Sequence, residues 1–304
     1  MRSPTDVLTA HYDLPGATVT ALPRGHTNTS FAVDARGRRL VLRVAWPGKP
    51  LDAVRAEEAL LDALLSESRF PRIVPTRAGA RRATVDGRFV HLFEALPGAH
   101  LTAPPTLAQT RAALATLAAL HAALSPLPVA SDDPLASLRA RGARVFDGDC
   151  THWPEEVVAS LPRVRRRIDA VLSAATTQLA GPRPQWLHGD YHLGNLLFAG
   201  DVVTGVVDFD DCGVGAPAVD LAVALYALAR DAAHEPTLRF DPELWRAGAA
   251  AYGATSPWRG PDPLAEDLFC AHQTLLHLEA ARRGLWALTP GIGFYPCFNA
   301  LCDG

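Results

Sequence analysis

The sequence predicts an α+β chain of two lobes: a small antiparallel sheet with one inserted helix, then a larger, mostly helical part. Over residues 1–96, short apolar runs alternate with turn residues. Leu96-Pro97-Gly98 interrupts that pattern. Beyond it, leucines recur at helical spacing over long segments. The lobes are therefore expected at 1–96 and 97–304, with a cleft between them.

Strands are expected at 19–22, 30–34 and 40–46, parted by Pro23-Arg24-Gly25 and Ala35-Arg36-Gly37. A helix is expected over 51–65. Two further strands, 83–85 and 88–94, flank Asp86-Gly87, a strong hairpin signal. Later, Leu107, Leu114, Leu117, Leu120 and Leu124 mark a helix over 106–124. Others are read at 164–179 and at 264–286, where Leu268, Leu275, Leu278 and Leu285 recur. Residues 125–153 carry a weak pattern and read as loop-rich.

Composition narrows the function classes. Hydrophobic residues make up 48% and charged residues 20% of the 304, the mix of a folded globular protein. A net charge of -3 points to neither a nucleic-acid nor an anionic-membrane partner. The longest apolar runs are too short to span a bilayer. The 5 cysteines are odd in number and lack a CxxC pair, which suits a reducing compartment. The opening residues lack a basic region followed by an apolar run, so the expected location is the cytoplasm.

The chemistry is concentrated in Trp186-Leu187-His188-Gly189-Asp190-Tyr191-His192-Leu193-Gly194-Asn195-Leu196-Leu197, followed by Gly205-Val206-Val207-Asp208-Phe209-Asp210-Asp211. Phosphoryl transfer needs a carboxylate beside the attacking hydroxyl and hard oxygen ligands that hold Mg²⁺ against a triphosphate. Protein kinases carry the base and an amide ligand five residues apart on one loop, with a second Asp after the next strand pair. Asp190 and Asn195 have that spacing, and Asp208 follows a strand, a turn at Gly200-Asp201 and a second strand.

The pattern His-Gly-Asp-x-His-x-x-Asn, then an apolar strand and Asp, resembles the signature of the aminoglycoside phosphotransferase and choline kinase family. It is matched at His188, Gly189, Asp190, His192, Asn195 and Asp208. The resemblance implies a bilobal protein-kinase-like fold, ATP or GTP as phosphoryl donor, and Mg²⁺. It implies that Asp190 is the catalytic base, that His188 braces its loop, and that Asn195 and Asp208 hold the metal. His192 is expected near the phosphates or in a structural role, and Asp210 and Asp211 as carboxylates beside the metal. Asp220 resembles the aspartate that ties the loop down from beneath. Short segments around Arg43 and Asp208 are most similar to the branch of type II homoserine kinases and stress-response Ser/Thr kinases.

On the nucleotide side, Val41, Arg43 and Ala45 share one face of their strand, and Leu40, Leu42, Val44 and Trp46 the other, core face. Val41 then lines the adenine and Arg43 reaches the phosphates, with Arg in the place of the family's usual Lys. Lys49, the only lysine, lies in a Pro-Gly-Lys-Pro turn and cannot take that strand position. Val54, Glu57, Leu61 and Leu64 form one helical stripe, and a carboxylate on an apolar stripe needs a partner, so an Arg43–Glu57 ion pair is expected. Gly25, Thr27, Asn28 and Thr29 resemble a phosphate-covering loop, and Glu94 and Leu96 a hinge whose backbone meets adenine.

The expected partner is a small-molecule hydroxyl: an aminoglycoside, homoserine, choline, a related amino-alcohol or a sugar. Glu266, Asp267, His272, Glu279 and Trp286 are candidate acceptor contacts on the last long helix. A stress-response type of protein Ser/Thr kinase and a nucleotide-binding module without catalysis are the competing readings.

Overall fold

The computed structural model describes residues 2–23, 27–179, 181, 183–230, 239–288 and 294–303. The chain forms two compact units, one of Met1–Gly98 with Thr204–Asp210, the other of Ala99–Val203 with Asp211–Gly304.

The first unit opens with α1 (Pro4–Tyr12), which the sequence reading did not anticipate. Ser3 caps it by accepting from the Asp6 N–H at 3.1 Å, and Pro4 pre-sets its first turn. The sheet follows: β1 (Thr18–Ala21), β2 (Thr29–Ala35) and β3 (Arg38–Val44), then α2 (Leu51–Ala63), then β4 (Ile73–Val74), β5 (Ala83–Val85) and β6 (Arg88–Glu94). The antiparallel order is β1-β2-β3-β6-β4, with β5 also on β6. Asp86 (φ 49°) and Gly87 (φ 74°) make the tight left-handed turn that their dipeptide predicts. Leu40, Leu42 and Val44 of β3 enter a core with Val7, Leu8, Val33, Val90 and Leu92.

A second turn matters more. Trp46-Pro47-Gly48-Lys49 follows β3, with the Lys49 N–H donating to the Trp46 carbonyl at 3.3 Å and Gly48 at φ 80°. Proline then glycine at the two central positions is the type II pattern. Residues 204–210 close the unit: the Val206 N–H donates to the Arg69 carbonyl at 2.9 Å, and buried Phe209 meets Phe70 edge to face at 6.1 Å.

The second unit is mostly helical. It contains α3 (Leu107–Leu124), α4 (Ala136–Phe146), α5 (Glu155–Gln178), β7 (Gln185–Leu187), β8 (Leu196–Ala199), β9 (Val202–Val206), β10 (Gly213–Gly215), α6 (Pro217–Ala229), α7 (Pro242–Tyr252), α8 (Pro263–Arg282) and α9 (Phe294–Asp303). β10 runs antiparallel to β7; β8 pairs with β9, within which the division between units falls. α6 is apolar around its circumference and buried, packed by α3, α7 and α8. A Thr106–Gln109 capping box starts α3, and Asp241 and Asp262 cap α7 and α8 ahead of a proline.

α4 falls where a loop-rich stretch was expected. Its apolar stripe is interrupted by Arg141, which is buried beside Leu138 and Val145. An arginine enters such a stripe only when carboxylates await it.

Candidate active site

The Asp190 loop runs from β7 to β8, and its first turn excludes side chains. Gly189 has φ 83°, and a Cβ on it would lie 2.0 Å from the Asp211 carbonyl oxygen. One carboxylate holds this turn. Asp220, 2% exposed in the first turn of α6, accepts from the His188 N–H at 2.8 Å and the Gly189 N–H at 3.0 Å. His121 of α3 donates through Nε2 to the same carboxylate at 3.2 Å, and its Nδ1 accepts from the Tyr252 hydroxyl at 2.7 Å. Burial pushes the Asp220 carboxyl up, but the hydrogen bonds from His121 and the Gly189 N–H outweigh it and keep the group ionised.

His272, from α8, donates through Nε2 to the Gly189 carbonyl at 2.6 Å. Burial and the Arg141 charge push this imidazole below its ordinary value, which favours the neutral form. His188 is buried, accepts the Asp190 N–H at 3.3 Å, and packs edge to face on Tyr191.

Asp190 is 18% exposed at its side chain. His192 Nε2 lies 3.3 Å from Asp190 Oδ2, while its Nδ1 accepts from the Gly194 N–H at 3.0 Å, so the proton sits on Nε2. Gly194 leaves room for that ring, since a Cβ there would stand 2.6 Å from it. Asn195 Nδ2 donates to the Asp190 carbonyl at 2.8 Å and stands 3.4 Å from its Oδ2. With its nitrogen turned to Asp190, the amide presents its oxygen elsewhere. Burial raises the Asp190 carboxyl, but the hydrogen bond from His192, with the His272 and His188 rings nearby, holds it well below the usual carboxylate range.

The first unit carries a set of its own. Asp208 adopts φ 64°, a left-handed conformation that costs a non-glycine residue about 1 kcal/mol. Its carboxylate, 42% exposed, lies 3.5 Å from Arg43 Nη1. Arg43 Nη2 pairs with Glu57 Oε1 at 2.5 Å, and its guanidinium lies over the Phe93 ring at 5.0 Å. Lys49 Nζ bonds Glu57 Oε2 at 3.0 Å and also Asp210, whose other oxygen accepts from Trp46 Nε1 at 3.2 Å. Burial pushes the Glu57 carboxyl up, but the charges of Arg43 and Lys49 win and bring it down to about 2. Neighbouring Glu58 is buried too, held by Arg82 at 2.9 and 2.7 Å and by His91 at 2.9 Å.

Lys49 is the residue that sequence reasoning missed. It does not occupy the strand, as expected, yet its turn returns it to Glu57. The available signal was the Pro-Gly pair, which folds position 49 back toward the start of α2.

Of the other expected nucleotide contacts, Gly25 lies outside the described residues. Thr27 and Thr29 are half-buried, and Asn28 is buried with its Oδ1 accepting from the Trp46 N–H at 3.3 Å. Val41 sits between Ala32 and Phe93 in the sheet. At the expected hinge, the Glu94 and Ala95 amides donate to the Arg72 and Arg39 carbonyls at 3.0 and 3.1 Å.

The expected acceptor contacts are largely engaged. Buried Glu279 is held by Arg141 at 3.0 Å, Arg144 at 2.6 Å and Arg283 at 2.7 Å, and Arg141 also pairs with Asp211. Arg167 grips both oxygens of Asp267 at 3.1 and 3.0 Å. Trp286 packs on His277 with ring centroids 4.3 Å apart. Glu266 is pushed above its ordinary value, chiefly by burial.

Among the described residues, no three His, Cys, Asp or Glu side chains gather as a cation cage. Asn195, in the second unit, carries an amide oxygen, and Asp208, in the first, a carboxylate. Both are hard oxygens, the ligand type that suits magnesium, which takes one or two protein ligands and fills its octahedron with phosphate and water.

A small antiparallel sheet bearing an Arg–Glu pair, joined to a helical unit bearing an Asp–Asn loop, defines a class of enzyme: the protein is a kinase, a phosphotransferase. It belongs to the phosphotransferase enzyme family (APH), which matches residues 18–260. It is similar to the homoserine kinase of Phenylobacterium zucineum (strain HLK1), 29% identical over 296 residues, covering 93% of this chain and 85% of the relative. Among solved structures it is similar to a microcompartment-associated aminopropanol kinase, with TM-score 0.65 and 25% identity over 98% of this chain and 94% of that one. It shares its fold with a thermostable mutant of the aminoglycoside phosphotransferase APH(4)-Ia in complex with ADP and hygromycin B (TM-score 0.62, 15% identity, covering 99% and 98%).

Proposed function

We propose that this enzyme transfers the γ-phosphoryl group of ATP, or GTP, to the hydroxyl of a small amino-alcohol, homoserine foremost. Asp190 is the base, and Asn195 and Asp208 are the Mg²⁺ ligands. The observation that carries the reading is the Asp190 carboxylate, kept ionised and partly open while His192 and Asn195 both meet its Oδ2.

A carboxylate this acidic is a weak base. Its part is to accept a hydrogen bond from the acceptor hydroxyl, orient the oxygen for in-line attack, and take the proton late. That suits a loose transition state in which positioning and electrostatics dominate. Bound magnesium would neutralise charge on the phosphate oxygens. Arg43 is the phosphate-side cation, oriented by Glu57. Val41 lines the adenine, and with the Glu94 and Ala95 amides occupied, the adenine edge falls to the Glu94 carbonyl and the Leu96 amide. Thr27, Asn28 and Thr29 belong to the phosphate-covering loop. His188 and Asp220 hold the Asp190 loop. Residues 1–96 serve the nucleotide, and 97–304 the catalysis and the acceptor.

Two observations favour a small amino-alcohol carrying a carboxylate over a polycationic aminoglycoside. The acids Glu279 and Asp267 are already neutralised by arginines. The relatives similar along the chain include the homoserine kinase of P. zucineum. An ADP-release assay with Mg²⁺, ATP or GTP, and a panel of homoserine, aminopropanol, choline, aminoglycosides and sugars tests the reading. Turnover is expected with homoserine or a close amino-alcohol. Turnover only with aminoglycosides, or only phosphorylation of protein serine or threonine, overturns it.

A further inference from the structure

Lys49 is the only lysine in the chain, and its side chain is 2% exposed. A buried ammonium persists only where carboxylates meet it. Lys49 meets two, Glu57 at 3.0 Å and Asp210. Burial works against its charge, but the charges of Glu57 and Asp210 raise its pKa above the ordinary lysine value. The turn that delivers it is anchored on both sides of Trp46: the backbone N–H donates to Asn28 and the indole N–H to Asp210.

The charges alternate in sequence: Asp208, Arg43, Glu57, Lys49, Asp210. Both ends of the series lie in Asp208-Phe209-Asp210. Glu57 therefore has two cations, one per oxygen. A buried carboxylate with a single partner is strongly destabilised when that partner leaves. Were Arg43 alone on Glu57, drawing it toward phosphate would carry that penalty. With Lys49 on the second oxygen, Glu57 stays neutralised whichever way Arg43 turns.

We propose that Lys49 is a positioning residue, the standing counter-ion of Glu57 and Asp210 that releases Arg43 to engage the nucleotide phosphates. This rests on the reading of Arg43 as the phosphate-side cation.

The test reads the binding of a fluorescent ADP analogue with Mg²⁺ to the wild type, Arg43→Met, Lys49→Met, and Lys49→Met/Glu57→Gln. Lys49→Met is expected to weaken binding about ten-fold, the equivalent of one unit of log Kd. Adding Glu57→Gln is expected to recover most of that loss, because the amide oxygen can still orient Arg43 while leaving no buried carboxylate for it to neutralise. Wild-type affinity in Lys49→Met, or a double variant as weak as the single one, overturns the proposal. Arg43→Met separates the two readings. Unchanged affinity there defeats the phosphate role of Arg43 and the proposal with it. Weakened affinity there beside an unaffected Lys49→Met defeats the proposal alone.

A second measurement needs no variant. In the native wild-type protein, an amine-acylating reagent can modify only Lys49 and the chain's α-amino group, and mass spectrometry of the Lys49 peptide gives its rate. Slow acylation, unchanged when ADP and Mg²⁺ saturate the protein, is expected of a standing counter-ion. Strong protection by nucleotide would make Lys49 a phosphate ligand and overturn the proposal.

Discussion

At the scale of single residues, the contrast between Asp190 and Asp208 sets two separable tests. Asp190 has both its carbonyl and its carboxylate tied into its own loop, so its removal should spare nucleotide binding. Asp190→Ala is expected to lower kcat by about 10²–10⁴-fold, the usual worth of a positioned base, with the Kd for ADP nearly unchanged by titration. Asp208→Ala is expected to raise the Mg²⁺ concentration needed for half-maximal ADP binding, because the carboxylate proposed to hold the metal is lost. Glu57 supplies a pH prediction. Its folded pKa of about 2 lies below the ordinary value of 4.5, so its contribution is complete above about pH 4.5 and fades as pH falls toward 2. The shift corresponds to about 3 kcal/mol. Urea denaturation of the wild type and Glu57→Gln at pH 6 and pH 3 should show the smaller acid loss in the variant.

At the scale of elements, the Asp190 loop is a turn held by a helix terminus. Two backbone amides, of His188 and Gly189, converge on one carboxylate at the start of α6. Asp220→Ala would leave both without their acceptor, and the loss of stability is expected at about 2–6 kcal/mol, read by chemical denaturation. Gly189→Ala combines a positive φ with backbone 2.0 Å from the new Cβ, and is expected to lose about 3 kcal/mol or more in the same measurement. The hairpin at Asp86-Gly87 was legible because a dipeptide alone sets its geometry. The stripe of Val54, Glu57, Leu61 and Leu64 was legible because helical periodicity is local. α4 was not, because its buried face includes Arg141, whose partners Glu279 and Asp211 lie far along the chain. A charged residue in a stripe reads as a break until its counter-ions are known.

At the scale of the whole molecule, a ligand that binds only the folded chain stabilises it by mass action. ADP with Mg²⁺ at one hundred times its Kd is expected to add about 2.7 kcal/mol, measurable as a rise in Tm that Asp208→Ala should reduce. The family match over residues 18–260 and the mixed fold agree with what the residues imply about class. The Asp190, Asn195 and Asp208 pattern and the strand bearing Arg43 could be read directly, because loop spacing and strand alternation are short-range properties of a chain. The place of Lys49 could not. Whether a turn lysine is solvated or buried depends on carboxylates eight and 161 positions away, and only folding brings those three charges within bonding distance. The same holds for the acids of α8: their residue types suggested acceptor contacts, whereas arginines from α4 and α5 neutralise Glu279 and Asp267. Local spacing specifies which chemistry is available; the long-range pairing of buried charges selects which of those groups remain open to a substrate.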